Sequence, residues 1–133
     1  MKRYRFFRVP PDNFGPITLI EFPKAPDLYD FYSLLSVRAQ QPEGGQWHPE
    51  VNMVEYSYLN EELALIGDEE GRFLQGDLPN ARIMEFVRNF GNPVPLFGTF
   101  LISSAKGQSM AESALRDSDI LLIESLFKMR GLR

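Results

Sequence analysis

The residues best equipped for chemistry are few in this chain. Its one histidine, His48, stands in Trp47-His48-Pro49-Glu50, where an imidazole lies close to a carboxylate, and Glu55 follows soon after. A small enzyme built from this sequence would be centred on His48 with Glu50 or Glu55, the pair sharing acid and base duties. A serine hydrolase would also need an exposed nucleophile, and no Gly-x-Ser-x-Gly elbow is present to supply one. The cysteine count is 0, which removes a disulfide framework, a thiolate zinc site, an iron–sulfur cluster and a thiol nucleophile together. A metal would rest on His48 and carboxylates alone, whereas zinc sites draw on several His or Cys ligands, so neither a metal nor a cofactor is expected.

Carboxylates are plentiful, and Glu61-Glu62 and Glu69-Glu70 are adjacent pairs. Adjacent side chains point to opposite faces of a strand and diverge by about 100° on a helix, so neither pair makes an acid and base couple. They read as solubilising or contact charges. Ser104-Ala105-Lys106-Gly107-Gln108-Ser109 contains a lysine but lacks the Gly-Lys-Ser order of a phosphate loop, and it reads as a strand-to-helix turn. The N-terminal Lys2-Arg3-Tyr4-Arg5-Phe6-Phe7-Arg8 interleaves cations with rings, as single-strand nucleic-acid binders do. On a strand, however, Tyr4, Phe6 and Arg8 take one face and Arg5, Phe7 and Val9 the other, so no cation-lined stacking platform results. These arginines are expected to pair with the acidic middle of the chain.

The elements that position these residues follow from periodicity. Tyr4 to Val9 and Ile17 to Phe22 read as strands of an N-terminal hairpin, separated by a wide turn rich in Pro, Asn and Gly. Leu28, Phe31, Tyr32 and Leu35 recur at helical spacing and predict a helix from Asp27 to Ala39, with Asp27 and Asp30 near its positive end. Gln40 to Glu50 holds two prolines and two glycines and predicts an irregular loop carrying Trp47 and His48. Val51 to Leu59 is strand-like. Leu63 to Ile66 and Arg72 to Leu74 predict a hairpin about Gly67 to Gly71, and a short helix from Asn60 to Ile66 is the competing reading. Ile83, Phe86, Val87 and Phe90 predict a helix within Asp77 to Phe90, capped by Asp77 or Asn80 and ended by Gly91-Asn92-Pro93. Leu96 to Ser103 predicts a buried strand. Ser109-Met110-Ala111-Glu112 matches a capping box opening a helix through Leu115, and Asp117-Ser118-Asp119 offers a further start for a helix reaching toward Gly131.

The expectation is therefore a single domain, 1–133, of the α+β class: a mainly antiparallel sheet of about five or six strands with three or four helices, the C-terminal ones packed on one face. The chain's 133 residues leave no room for a second core, and its aromatic content of 13% argues against disorder. No apolar stretch approaches the roughly 20 residues of a membrane span. The basic start lacks the apolar core of a signal peptide, since Pro10, Pro11 and Asp12 follow it, so a cytoplasmic location is expected.

Net charge is −4, which argues against general nucleic-acid binding. The charge is unevenly placed. From Glu43 to Glu85 many acids face only Arg72 and Arg82. This pattern moves the functional expectation from catalysis to recognition: a non-enzymatic inhibitor, immunity or accessory protein that covers a protein partner, most suitably a basic one. The expected contact residues are Trp47, His48, Glu50, Tyr56, Tyr58, Glu61, Glu62, Glu69 and Glu70, with the aromatic side chains as anchors. The first alternative is a structural subunit of a homo- or hetero-oligomeric assembly, because Ile120 to Phe127 carries more apolar residues than one helical stripe can bury. The second is the small enzyme at His48.

Overall fold

The computed structural model describes residues 3–11, 15–35, 54–68, 79–92, 95–106 and 113–127. These residues contain five strands, β1 (Tyr4–Val9), β2 (Thr18–Phe22), β3 (Val54–Tyr58), β4 (Leu63–Asp68) and β5 (Phe100–Ser104). Among the described residues there are three helices, α1 (Leu28–Leu35), α2 (Ala81–Val87) and α3 (Asp117–Leu126). The strands form one antiparallel sheet in the order β2-β1-β5-β4-β3, so the α+β expectation holds. Two sequential hairpins, β1–β2 and β3–β4, flank the last strand, which completes the sheet at its centre. Neither hairpin buries its apolar faces alone; β5 joins them.

Central position explains the sequence of β5. All five residues, Phe-Leu-Ile-Ser-Ser, are buried, because both faces of the sheet are covered and strict alternation is not required. On one face Phe7, Val9, Leu63, Leu65, Phe100 and Ile102 share a buried cluster with Ile83 and Phe86 of α2 and Ile120 and Ile123 of α3. On the other, Phe6, Ile66 and Leu101 cluster with Phe31 and Leu35 of α1. Phe6 meets Phe31 edge to face with ring centroids 5.4 Å apart, an arrangement that ring quadrupoles favour.

The helices begin where the chain can satisfy their free N–H groups. Before α1, Asp27 and Asp30 bond reciprocally: the Asp30 amide donates to Asp27 Oδ1 at 2.8 Å and the Asp27 amide to Asp30 Oδ2 at 2.9 Å. Asn80 caps α2 by accepting from the Ile83 amide, and its own side-chain amide donates to the Val9 and Gly98 carbonyls at 3.0 and 2.8 Å. One buried amide thus ties the end of β1, the start of α2 and the bend before β5. Gly98, with φ at +88°, makes that bend, a conformation that L side chains resist.

Several expectations are corrected. The helix reading of Asn60 to Ile66 gives way to a strand, because Ala64 to Gly67 is paired along both edges, to β3 and to β5. The helix through Leu115 is replaced by an extended stretch: Ser113, Ala114 and Leu115 run between β1 and β5, where the Ser104 amide donates to Ser113 O and the Leu115 amide to Arg5 O. Residues 109–112 lie outside the described residues. Gly67 lies within β4 rather than in a hairpin turn, and Gly71 and Arg72 to Leu74 lie outside the description. Most of the acidic middle, with which the N-terminal arginines are expected to pair, lies outside the described residues. Arg3 pairs with Glu21 at 3.1 Å, Arg5 with Asp117 at 2.7 Å, and Arg8 Nε donates to the Leu34 carbonyl at 2.8 Å.

Candidate functional site

The connection between β3 and β4 gathers three of the expected contact residues, Tyr58, Glu61 and Glu62. Tyr58 pairs with Ala64 at the closed end of the hairpin, and four residues, Leu59 to Glu62, turn the chain. The turn is held from inside. The Leu59 and Asn60 amides both donate to Leu63 O, and Asn60 Oδ1 accepts from the amides of Glu62 and Leu63 at 2.8 Å each. Asparagine does this well because its short side chain mimics a backbone carbonyl. Tyr58 leaves this rigid turn 68% exposed, and Glu61 is exposed beside it.

Glu62 has a different fate. Lys106 Nζ approaches its Oε1 at 3.1 Å and Arg116 Nη2 its Oε2 at 2.6 Å. Arg116 also bonds Asp119, with Nε 3.1 Å from Oδ2 and Nη2 3.1 Å from Oδ1. The Asp119 carboxylate, nearly buried, in turn accepts from the Arg116 amide at 3.0 Å and so starts α3. Two acids and two cations therefore balance. Hydrogen bonds from Lys106 and Arg116 hold the Glu62 carboxyl below the ordinary glutamate range, and Asp119 with Glu62 pushes the Arg116 guanidinium further up. A carboxylate so stabilised is a poor proton donor at neutral pH. What this end of the molecule offers chemically is a fixed, partly charged contact surface with an aromatic ring standing out of it.

Of the other expected residues, Tyr56 lies in β3 opposite Ile66, and Glu55 opposite Gly67. Trp47, His48, Glu50, Glu69 and Glu70 lie outside the described residues. Among the described residues no three His, Asp or Glu side chains are grouped to hold a metal ion. Lys106 and Arg116 were missed as partners of the turn. The Lys106 loop stands out in sequence only as a failed phosphate loop, and Arg116 gives no signal at all, since its bond to Glu62 joins residues 54 apart. A concavity of about 390 Å³ lies along α2 and is lined by Pro79, Ala81, Met84, Glu85 and Arg88.

No protein-family model, no curated protein and no solved structure is significantly similar to this chain. Among the described residues no helix is long and apolar enough to cross a membrane.

Proposed function

We propose that this chain is a non-enzymatic protein-binding domain, of the inhibitor, immunity or accessory kind, that covers a basic partner with the β3–β4 turn. The observation that carries the reading is the exposed ring of Tyr58 on a turn already locked by its own hydrogen bonds. An anchor presented in one conformation loses little entropy on binding, and tyrosine is among the residues that dominate interface energetics. Because Lys106 and Arg116 neutralise Glu62, the acid the turn exposes is Glu61, supported by the excess of acids from Glu43 to Glu85. Such an excess speeds encounter with a positive surface. Trp47, Glu50, Glu69 and Glu70 belong to the proposed surface on residue type alone, with Trp47 as a second anchor.

The test is a photo-reactive phenylalanine analogue placed at position 58 and, separately, at Arg88 as an exposed control on a different element. In lysate of the native source, position 58 should capture one discrete protein. Unmodified chain should compete for it, the Tyr58→Ala chain should compete roughly 30-fold less well, and raised salt should weaken capture. The same bands from both positions, or capture that ignores both salt and the Tyr58 change, would refute the reading.

A further inference from the structure

Glu62 sits in the β3–β4 turn beside the exposed Glu61, yet each of its carboxylate oxygens is taken by a cation of the same chain: Oε1 by Lys106 Nζ at 3.1 Å and Oε2 by Arg116 Nη2 at 2.6 Å. The two cations are held differently. Arg116 is anchored, because its Nε and Nη2 each lie 3.1 Å from an oxygen of Asp119, a side chain only 5% exposed that also accepts from the Arg116 amide. Lys106 has no second anchor of this kind among the described residues. Its half-exposed ammonium, on a flexible stem, pairs there with Glu62 alone.

The backbone keeps Lys106 close. The Ala105 amide donates to Glu62 O at 2.8 Å and the Lys106 amide to Ser104 Oγ at 3.2 Å, so the ammonium starts within reach of the carboxylate. A cation tethered in this way competes with any cation from outside at a high effective concentration. The pair itself is solvated and therefore weak, which makes Oε1 an exchangeable position, whereas Oε2 stays closed because Arg116 is fixed.

We propose that Lys106 is an autoinhibitory contact: it occupies, in cis, the place on Glu62 that a lysine or arginine of a basic partner would otherwise take. The inference rests on the basic-partner reading of the β3–β4 turn and adds its regulation. While Lys106 is charged, an incoming cation meets a like charge at Glu62 and finds only Glu61 open on the turn. Neutralising Lys106 opens Glu62 Oε1 as a second acidic contact.

Octalysine serves as the basic probe, titrated calorimetrically at low ionic strength, where exposed charges are least screened. Lys106→Gln should bind octalysine roughly threefold more tightly than Lys24→Gln, which removes the same charge from an exposed position after β2. With Glu62→Gln added to each, the two lysine variants should bind alike. Equal affinities of Lys106→Gln and Lys24→Gln, or an advantage of Lys106→Gln that survives Glu62→Gln, would overturn the proposal. Octalysine binding needs neither Tyr58 nor the native partner, so failure here and failure of capture at position 58 are separable.

Discussion

Gly67 lies opposite Phe100 in the pairing of β4 with β5, and the phenylalanine ring occupies the space that a side chain at 67 would need. A Cβ placed on Gly67 would fall 2.5 Å from Phe100 Cε1 and 2.7 Å from Cδ1, inside any real contact. Phe100 is itself buried in the sheet's helix-covered cluster, so the ring cannot swing aside freely. Gly67→Ala should therefore destabilise the fold by roughly 1–3 kcal/mol through overpacking. In urea titrations the loss should shrink in a Gly67→Ala, Phe100→Leu double variant, since the smaller side chain yields the space. Additive losses from the two changes would show that the ring is not the obstacle.

Asn80 supports a sharper expectation, because each half of its amide has a separate task. Asn80→Ala removes the α2 cap and leaves the Val9 and Gly98 carbonyls without their donor, a loss of roughly 2–4 kcal/mol. Asn80→Asp keeps the cap acceptor but turns a carboxylate oxygen toward two carbonyl oxygens in a buried site. Burial and those dipoles raise the acid's pKa in the folded state, so the native form binds the proton more tightly than the unfolded chain. The variant should then lose stability as pH rises through and above the ordinary aspartate range. Unfolding at pH 4 and at pH 7 measures this directly: Asn80→Asp should fall between the two while Asn80→Ala changes little by comparison.

How much of this was legible beforehand depends on how local each cause is. The periodic helices could be read: Phe31 and Leu35 of α1, and Ile83 and Phe86 of α2, are buried as their spacing requires. β1 is found at Tyr4–Val9 as its residues suggest, with the two expected faces. Asn60 shows where local reading reaches its limit. Its side chain does accept from the amides two and three residues on, as a cap would, but the same bonds close a hairpin turn, and only the pairing of Ala64 to Gly67 with β3 and β5 decides between them. Ser113 to Leu115 was misread because the partners that hold it extended, Ser104 and Arg5, are remote in the chain. For the site, the exposure of Glu61 matches its residue type, whereas that of Tyr58 does not follow from its own. The neutralisation of Glu62 depends on Lys106 and Arg116, which no pattern in the sequence connects to it.

Glu62 should leave a mark on acid stability. Its carboxyl pKa is depressed in the folded chain, first by the hydrogen bond from Lys106 and then by that from Arg116. A depressed acid contributes stability that is fully present above the ordinary glutamate range and disappears as pH falls through the lowered folded value. Glu62→Gln should accordingly melt below the parent chain at neutral pH, with the gap closing in acid. Because the network is solvated, the neutral-pH gap should also narrow in high salt. A gap independent of both pH and salt would assign the effect to packing instead.

Phe86 and Phe127 stack with ring centroids 4.8 Å apart and planes 11° from parallel, joining α2 to the end of α3. Phe90, 5.4 Å from Phe86, extends the same cluster. Phe127 caps α3 at its C-terminus and is only half-buried, so its removal should cost less than a full core phenylalanine, about 2 kcal/mol for Phe127→Ala. A double-mutant cycle with Phe86→Leu should return a coupling of about 0.5–1.5 kcal/mol, the part that belongs to the ring pair rather than to area burial. Phe127→Leu, which keeps apolar volume but not the ring, should lie between the parent chain and Phe127→Ala in urea titrations, and equal losses for the two would show that volume at 127 contributes nothing beyond the ring pair.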